Sequence, residues 1–138
     1  MGRLCRVFLP LVALCAAVLA SACSDKGEGP QPEQLAAQAA KQYYDGLIYG
    51  REEDWLDGHM GAEAMSPDYR QQLLENARMF LDQQRRAHGG ICDVAVGECR
   101  GQTFDGSPIA ILNLRFSDAT QETVAVPMVL DDGVWRMR

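Results

Sequence analysis

The chain has 138 residues and a formal net charge of −6, with 47% apolar and 23% charged residues. That length suits one domain, the apolar share excludes bulk disorder, and the acidic balance speaks against nucleic-acid binding, which needs a basic face. Of five cysteines, Cys5, Cys15 and Cys23 crowd the N-terminus and only Cys92 and Cys99 lie in the body, so a disulfide-dense small scaffold is excluded too.

The first segment reads as an address. Met1 to Arg6 carries Arg3 and Arg6 with no acid, and Val7 to Leu19 is apolar apart from the turn-former Pro10. Ala20, Ser21, Ala22 and Cys23 follow. A basic start, an apolar stretch of about 13 residues and a small-residue cleavage site form a secretory signal. The stretch is shorter than the ~20 apolar residues that span a bilayer.

Ala20-Ser21-Ala22-Cys23 resembles the lipobox of bacterial lipoproteins, although Ala20 stands where that motif usually has Leu. The resemblance implies that residues 1–22 are removed and that Cys23 is lipidated and becomes the new N-terminus. It also implies that Ser24, in place of Asp, directs the protein to the outer membrane of a Gram-negative envelope. Two or more acyl chains give a stable anchor, each buried methylene contributing ~0.8 kcal/mol. Cleavage removes two arginines and no acid, so the mature body is more acidic still. An anionic membrane surface repels such a body, and the lipid must supply the attachment. Residues 23–32, rich in Gly, Pro and charge, form the lipidated cysteine and a solvated tether.

The body begins with helices. Leu35, Ala36, Ala39, Ala40, Tyr43, Tyr44, Leu47 and Ile48 form a helical stripe, with Pro32 suited to its first turn and Gly50 to its stop. Glu52, Glu53 and Asp54 favour the start of a short second helix, where Trp55 and Leu56 supply apolar surface. Ser66-Pro67 opens a long third helix as N-cap and N1, and Gly89-Gly90 closes it after Arg85, Arg86 and His88.

Beyond Gly90 the period changes to two. Cys92, Val94 and Val96 alternate on one face. The next strand presents Ala110, Leu112, Leu114 and Phe116, the third Val124, Val126, Met128 and Leu130, and the last Trp135 and Met137. Ser117 to Thr120 and Asp131-Asp132-Gly133 predict tight turns and hence antiparallel neighbours. Thr123 to Leu130 is the most aggregation-prone window. Pro127 interrupts it and predicts an open edge or a bulge at that point. The expected fold class is α+β: three N-terminal helices packed on a curved four-stranded antiparallel sheet.

Element order and several local segments carry a second resemblance. They are Tyr43-Tyr44 to Gly50, the Trp55 helix, His88-Gly89-Gly90-Ile91, Val126-Pro127-Met128-Val129 and Gly133-Val134-Trp135-Arg136-Met137. Residues 33–138 resemble a group of uncharacterised small bacterial lipoproteins with a nuclear transport factor 2-like, cystatin-like fold. The likeness implies a cone-shaped sheet with a pocket and an envelope address; it implies no activity. The wider superfamily holds binding modules as well as isomerases and dehydratases.

Tyr43, Tyr44, Asp45, Asp54 and His59 are the possible proton donors and bases of the helical half. An isomerase- or dehydratase-type site also needs an acid, base or oxyanion donor facing the pocket. The inward strand positions are almost all aliphatic, so no catalytic residue is assigned and the enzyme remains the alternative to a binding module. Tyr43, Tyr44, Trp55 and Trp135 are assigned to a possible pocket. His88, Cys92 and Cys99 lack a fourth ligand and match no usual zinc spacing, so neither metal nor cofactor is expected. The expected partners are the membrane, through the lipid, and a small apolar ligand or another envelope protein.

Cys92 and Cys99 lie in an oxidising compartment on this reading, which favours pairing. An extended chain between them would separate their Cα atoms by ~23 Å, against the ~7 Å that a disulfide tolerates. The expectation is that they are not joined, with Cys92 a small core hydrophobe and Cys99 a thiol at the strand end.

Overall fold

The structure is a computed structural model and describes residues 29–98 and 103–138. The signal segment, Cys23 and Cys99 lie outside the described residues. Three helices are present, α1 (Pro32–Ile48), α2 (Glu52–Asp57) and α3 (Pro67–His88), with a 3-10 turn at Ala62–Ala64 between the last two. The strands are β1 (Ile91–Val96), β2 (Thr103–Phe104), β3 (Ser107–Phe116), β4 (Gln121–Asp131) and β5 (Val134–Met137). Among the described residues no helix is long and apolar enough to cross a membrane.

Local chemistry sets the helix ends. The Ser66 hydroxyl accepts the Tyr69 amide at 3.3 Å, Pro67 occupies N1, and Gly89 closes α3 at φ +78°. That left-handed conformation is one glycine adopts without a Cβ penalty. α1 starts with Pro32 behind Gln31, the chain turns toward α2 at Gly50, and α2 packs against α1 at Gly46, where an added Cβ would lie 3.2 Å from the Asp54 Cβ. The absent side chain lets the two helices approach.

The sheet is antiparallel and ordered β1-β3-β4-β5, with β2 paired to β3 beside this path. It curls over the helices as a half-barrel, so the fold is α+β as expected. β2 was not expected: it has only two residues, too few to show a period, and a turn at Asp105-Gly106 with positive φ at both positions joins it to β3. Asp132-Gly133 has the same conformation between β4 and β5, the turn whose twist matches a two-residue hairpin.

Pro127 lies on an interior strand, not at an edge. β4 pairs with β3 up to Pro127 and with β5 from Met128 onward. The Pro127 carbonyl accepts the Arg138 amide at 2.9 Å, so its nitrogen faces the end of β5 and only one ladder bond is forgone.

The core lies between α1 and the inner sheet face. Ala36, Ala37 and Ala40 pack on Val94, Leu112, Leu114, Phe116, Val126, Met128 and Met137. Small residues on the helix let α1 sit close to the sheet. Burying a large aliphatic side chain such as Leu112 contributes about 1.5–3 kcal/mol. All of these residues fall between Ala36 and Met137, so residues 29–138 hold the whole of this described core and form a unit able to fold alone.

Three inward assignments need correction. Cys92 is exposed, because the β1–β3 register slips between Ile91 and Asp93 and makes Cys92 the extra residue of a bulge; Ile91, opposite Phe116, packs on the core instead. Cys92 is a free thiol, and its Sγ donates to the Arg115 carbonyl at 3.3 Å. Val96 is 41% exposed, at the end of β1 where α1 begins and its cover stops. Leu130 is 55% exposed, on the part of β4 that runs past β3 toward the hairpin with β5.

Candidate functional site

α3 is attached differently from α1. Of its 22 residues only Leu74 and Ala77 are buried; Phe80 packs half-buried against the core, and polar ties hold the helix on either side. Near its start the Arg70 guanidinium donates to Glu53 (3.0 Å), Asp57 (2.8 Å) and the Ala62 carbonyl (3.2 Å), and Arg78 donates to Glu52 (3.0 Å). Solvent-exposed pairs of this kind contribute roughly 0–1 kcal/mol each.

At the other end His88 Nδ1 lies 2.8 Å from Asp118 Oδ2, and the Asp118 amide donates to the His88 carbonyl. The other Asp118 oxygen accepts the Thr120 amide at 3.0 Å and the Thr120 hydroxyl. The Thr120 hydrogen bonds, then the one to His88, hold the Asp118 carboxyl well below its usual range, at about 2. The His88 ring also rests on Phe116, 4.7 Å between centroids. The β3–β4 hairpin thus clasps the end of α3. Sequence reading placed His88 only at a helix terminus, because its partners are about thirty residues away.

Pinned at both ends, α3 leaves a hollow of about 290 Å³ beneath its middle. The residues lining it are Tyr44, Leu47, Trp55, Asn76, Ala77, Phe80 and Val124, so α1, α2, α3 and β4 each supply part of the wall. Their chemistry is apolar apart from the Tyr44 hydroxyl, the Asn76 amide and the Trp55 indole. Burial pushes the Tyr44 phenol above its ordinary value, which keeps it neutral. The Trp55 Nε1 hydrogen is buried and has no acceptor. A buried donor without a partner costs about 1–3 kcal/mol, so this group asks for an acceptor.

The four residues assigned to a pocket separate into two pairs. Tyr44 and Trp55 line the hollow. Tyr43 and Trp135 do not: the Tyr43 hydroxyl donates to the Trp135 carbonyl at 2.7 Å and fastens α1 to β5. Adjacent residues on a helix point about 100° apart, which sends the two tyrosines to different neighbours. Asn76, Phe80 and Val124 escaped sequence reading as wall residues. Phe80 and Val124 fit the apolar stripes of their elements, and nothing local tells a core position from a lining one.

The candidate bases lie elsewhere. Asp45 pairs with Lys41 and Asp54 with Arg51. His59 Nδ1 lies 3.1 Å from the Trp55 carbonyl and 3.3 Å from that of Leu56, and its ring meets the Trp55 ring edge-on at 4.5 Å. The histidine thus braces the back of Trp55 and is not part of the wall. Among the described residues no group of three or more His, Cys, Asp or Glu side chains is placed to hold a metal ion.

No family model and no curated protein sequence matches the chain. Among solved structures, a crystal structure at 2.00 Å of a Campylobacter jejuni protein described as an NTF2-like transpeptidase is similar to it, with a TM-score of 0.57 and 15% sequence identity over 72% of this chain and 94% of that one. At that identity the likeness establishes the fold, and this chain has an NTF2-like fold.

Proposed function

We propose that the protein is a lipid-anchored envelope module that binds a small, largely apolar ligand in the hollow under α3 and performs no chemistry on it. The observation that carries the reading is the wall itself. Tyr44, Leu47, Trp55, Phe80 and Val124 present aromatic and aliphatic surface, with the Asn76 amide at its side. Ligand sites are characteristically apolar concavities with a few polar groups that fix orientation. The lining residues include no carboxylate or imidazole to act as the base of isomerase-type chemistry, and burial keeps the Tyr44 phenol neutral, leaving it a donor without a base beside it. Support for the anchor comes from Ala20-Ser21-Ala22-Cys23 and the basic and apolar segments before it.

Native mass spectrometry on protein purified from its own envelope tests the binding reading. Retention of a small apolar molecule, lost when Trp55→Ala and Phe80→Ala are combined, is the expected result. Protein that carries no small molecule and takes up none from an extract of its own envelope would overturn it. For the anchor, Cys23→Ala should release the protein from the membrane fraction, and unchanged membrane attachment and processing would refute lipidation.

A further inference from the structure

The hollow does not stop at Phe80. A second depression of about 690 Å³ runs along α3 and is lined by Asn76, Met79, Phe80, Gln83, Arg86 and Ala87, with Asp82 at its side. Asn76 and Phe80 belong to both walls, so hollow and groove adjoin. Positions 76, 80, 83 and 87 recur at helical spacing and make one stripe along α3. Met79, 70% exposed, flanks that stripe. From Asn76 to Arg86 the helix rises ~15 Å, long enough for a chain molecule rather than a compact one.

The far end of the stripe carries the second observation. Among the described residues, Lys41, Arg51, Arg70, Arg78, Arg85, Arg115, Arg136 and Arg138 each have an acidic partner. Arg86 is the one described Lys or Arg without such a partner. Asp82, which could have served, is bound by Arg85 at 2.7 Å. An unneutralised guanidinium in a chain of net charge −6 is a local exception, and its donor fork fits a carboxylate or phosphate.

We propose that hollow and groove together hold one single-chain amphiphile with an anionic head. Its tail lies across Phe80 and Met79 with its end in the hollow against Trp55 and Tyr44, and its head sits at Arg86, where Gln83 can donate a further hydrogen bond. This rests on the binding reading above and adds the ligand's class. The shared chemistry is a carboxylate or phosphate monoester on an alkyl chain.

The test uses residues 29–138 and calorimetric titration with dodecanoate, dodecyl phosphate, dodecyl maltoside and dodecyltrimethylammonium, each below its micelle concentration. Dodecanoate or dodecyl phosphate should bind most tightly, and the comparison of the two identifies the head. The cationic probe should bind most weakly. Arg86→Gln, at an exposed position that burdens no packing, should weaken the anionic probes about three- to tenfold and leave dodecyl maltoside unchanged. Arg86→Lys should restore part of the loss. Equal affinity for anionic and uncharged probes, or no effect of Arg86→Gln, would overturn the anionic head while leaving the apolar hollow standing. Failure of every probe would overturn both. Binding seen only with vesicles of anionic lipid, and not with monomeric dodecanoate, would assign the surface to a membrane and overturn the proposal.

Discussion

Gly58 offers a sharp test of how α1, α2 and β5 are joined. It follows α2 with φ −70°, a conformation open to any residue, so alanine there brings no backbone strain. An added Cβ would nevertheless stand 2.5 Å from Tyr43 Cδ1 and 2.6 Å from Cγ. The ring cannot easily yield, because its hydroxyl is tied to the Trp135 carbonyl at 2.7 Å. The Gly58 backbone cannot easily yield either, because its carbonyl accepts the Met137 amide at 2.8 Å.

Overpacking of this kind costs about 1–3 kcal/mol, and the stiffer unfolded chain offsets about 0.4–1 kcal/mol of it. Gly58→Ala should therefore destabilise the domain by about 1–2 kcal/mol, lowering Tm by roughly 4–8 °C in a domain of this size. Tyr43→Phe, which removes only the hydrogen bond, should cost about 1 kcal/mol. In a Tyr43→Ala background the new methyl enters vacated space and the penalty of Gly58→Ala should vanish. Urea denaturation of the four proteins in the Gly58–Tyr43 cycle measures that coupling. A Gly58→Ala protein as stable as its parent, or the same penalty in both Tyr43 backgrounds, would refute the reasoning.

Three further predictions follow from local geometry. Ala119 has φ +69° in the β3–β4 turn, where a Cβ costs about 1 kcal/mol, so Ala119→Gly should raise the urea midpoint, and a lowered midpoint would contradict the turn. Asp118 is depressed from 3.8 to about 2, so its contribution is fully present above pH 4 and is lost as pH falls toward 2; Asp118→Asn should flatten the stability profile across that window, and parallel profiles would refute the clasp. Cys92 should react with a maleimide in the folded protein at a rate near that of the urea-unfolded chain, whereas protection by orders of magnitude would place it back in the core.

The sequence was legible wherever one period ran uninterrupted against one neighbour. α3 announces both ends through Ser66-Pro67 and Gly89-Gly90, and Ala110 to Phe116 alternates cleanly because α1 covers it throughout. Legibility failed where one residue changes parity or cover ends. The bulge at Cys92 reverses a side chain without altering composition. Val96 and Leu130 keep the inward pattern past the reach of the helices. The same limit applies to the site: aromatic content near the turn between α1 and α2 pointed to Tyr44 and Trp55, but only the path of α3 reveals which tyrosine faces the hollow. Arg86 is singular for what surrounds it, since sequence shows it merely as half of an Arg pair.

The most direct test of ligand binding in the hollow is the indole N–H of Trp55 in a proton–nitrogen correlation spectrum of residues 29–138. The chain has two tryptophans, so two indole signals are expected, and Trp55→Phe assigns them. Titration with dodecanoate should move the Trp55 signal saturably as the ligand settles against the Trp55 ring, while the Trp135 signal moves little. A Trp55 signal that stays in place through saturating dodecanoate and dodecyl maltoside would contradict ligand binding in the hollow.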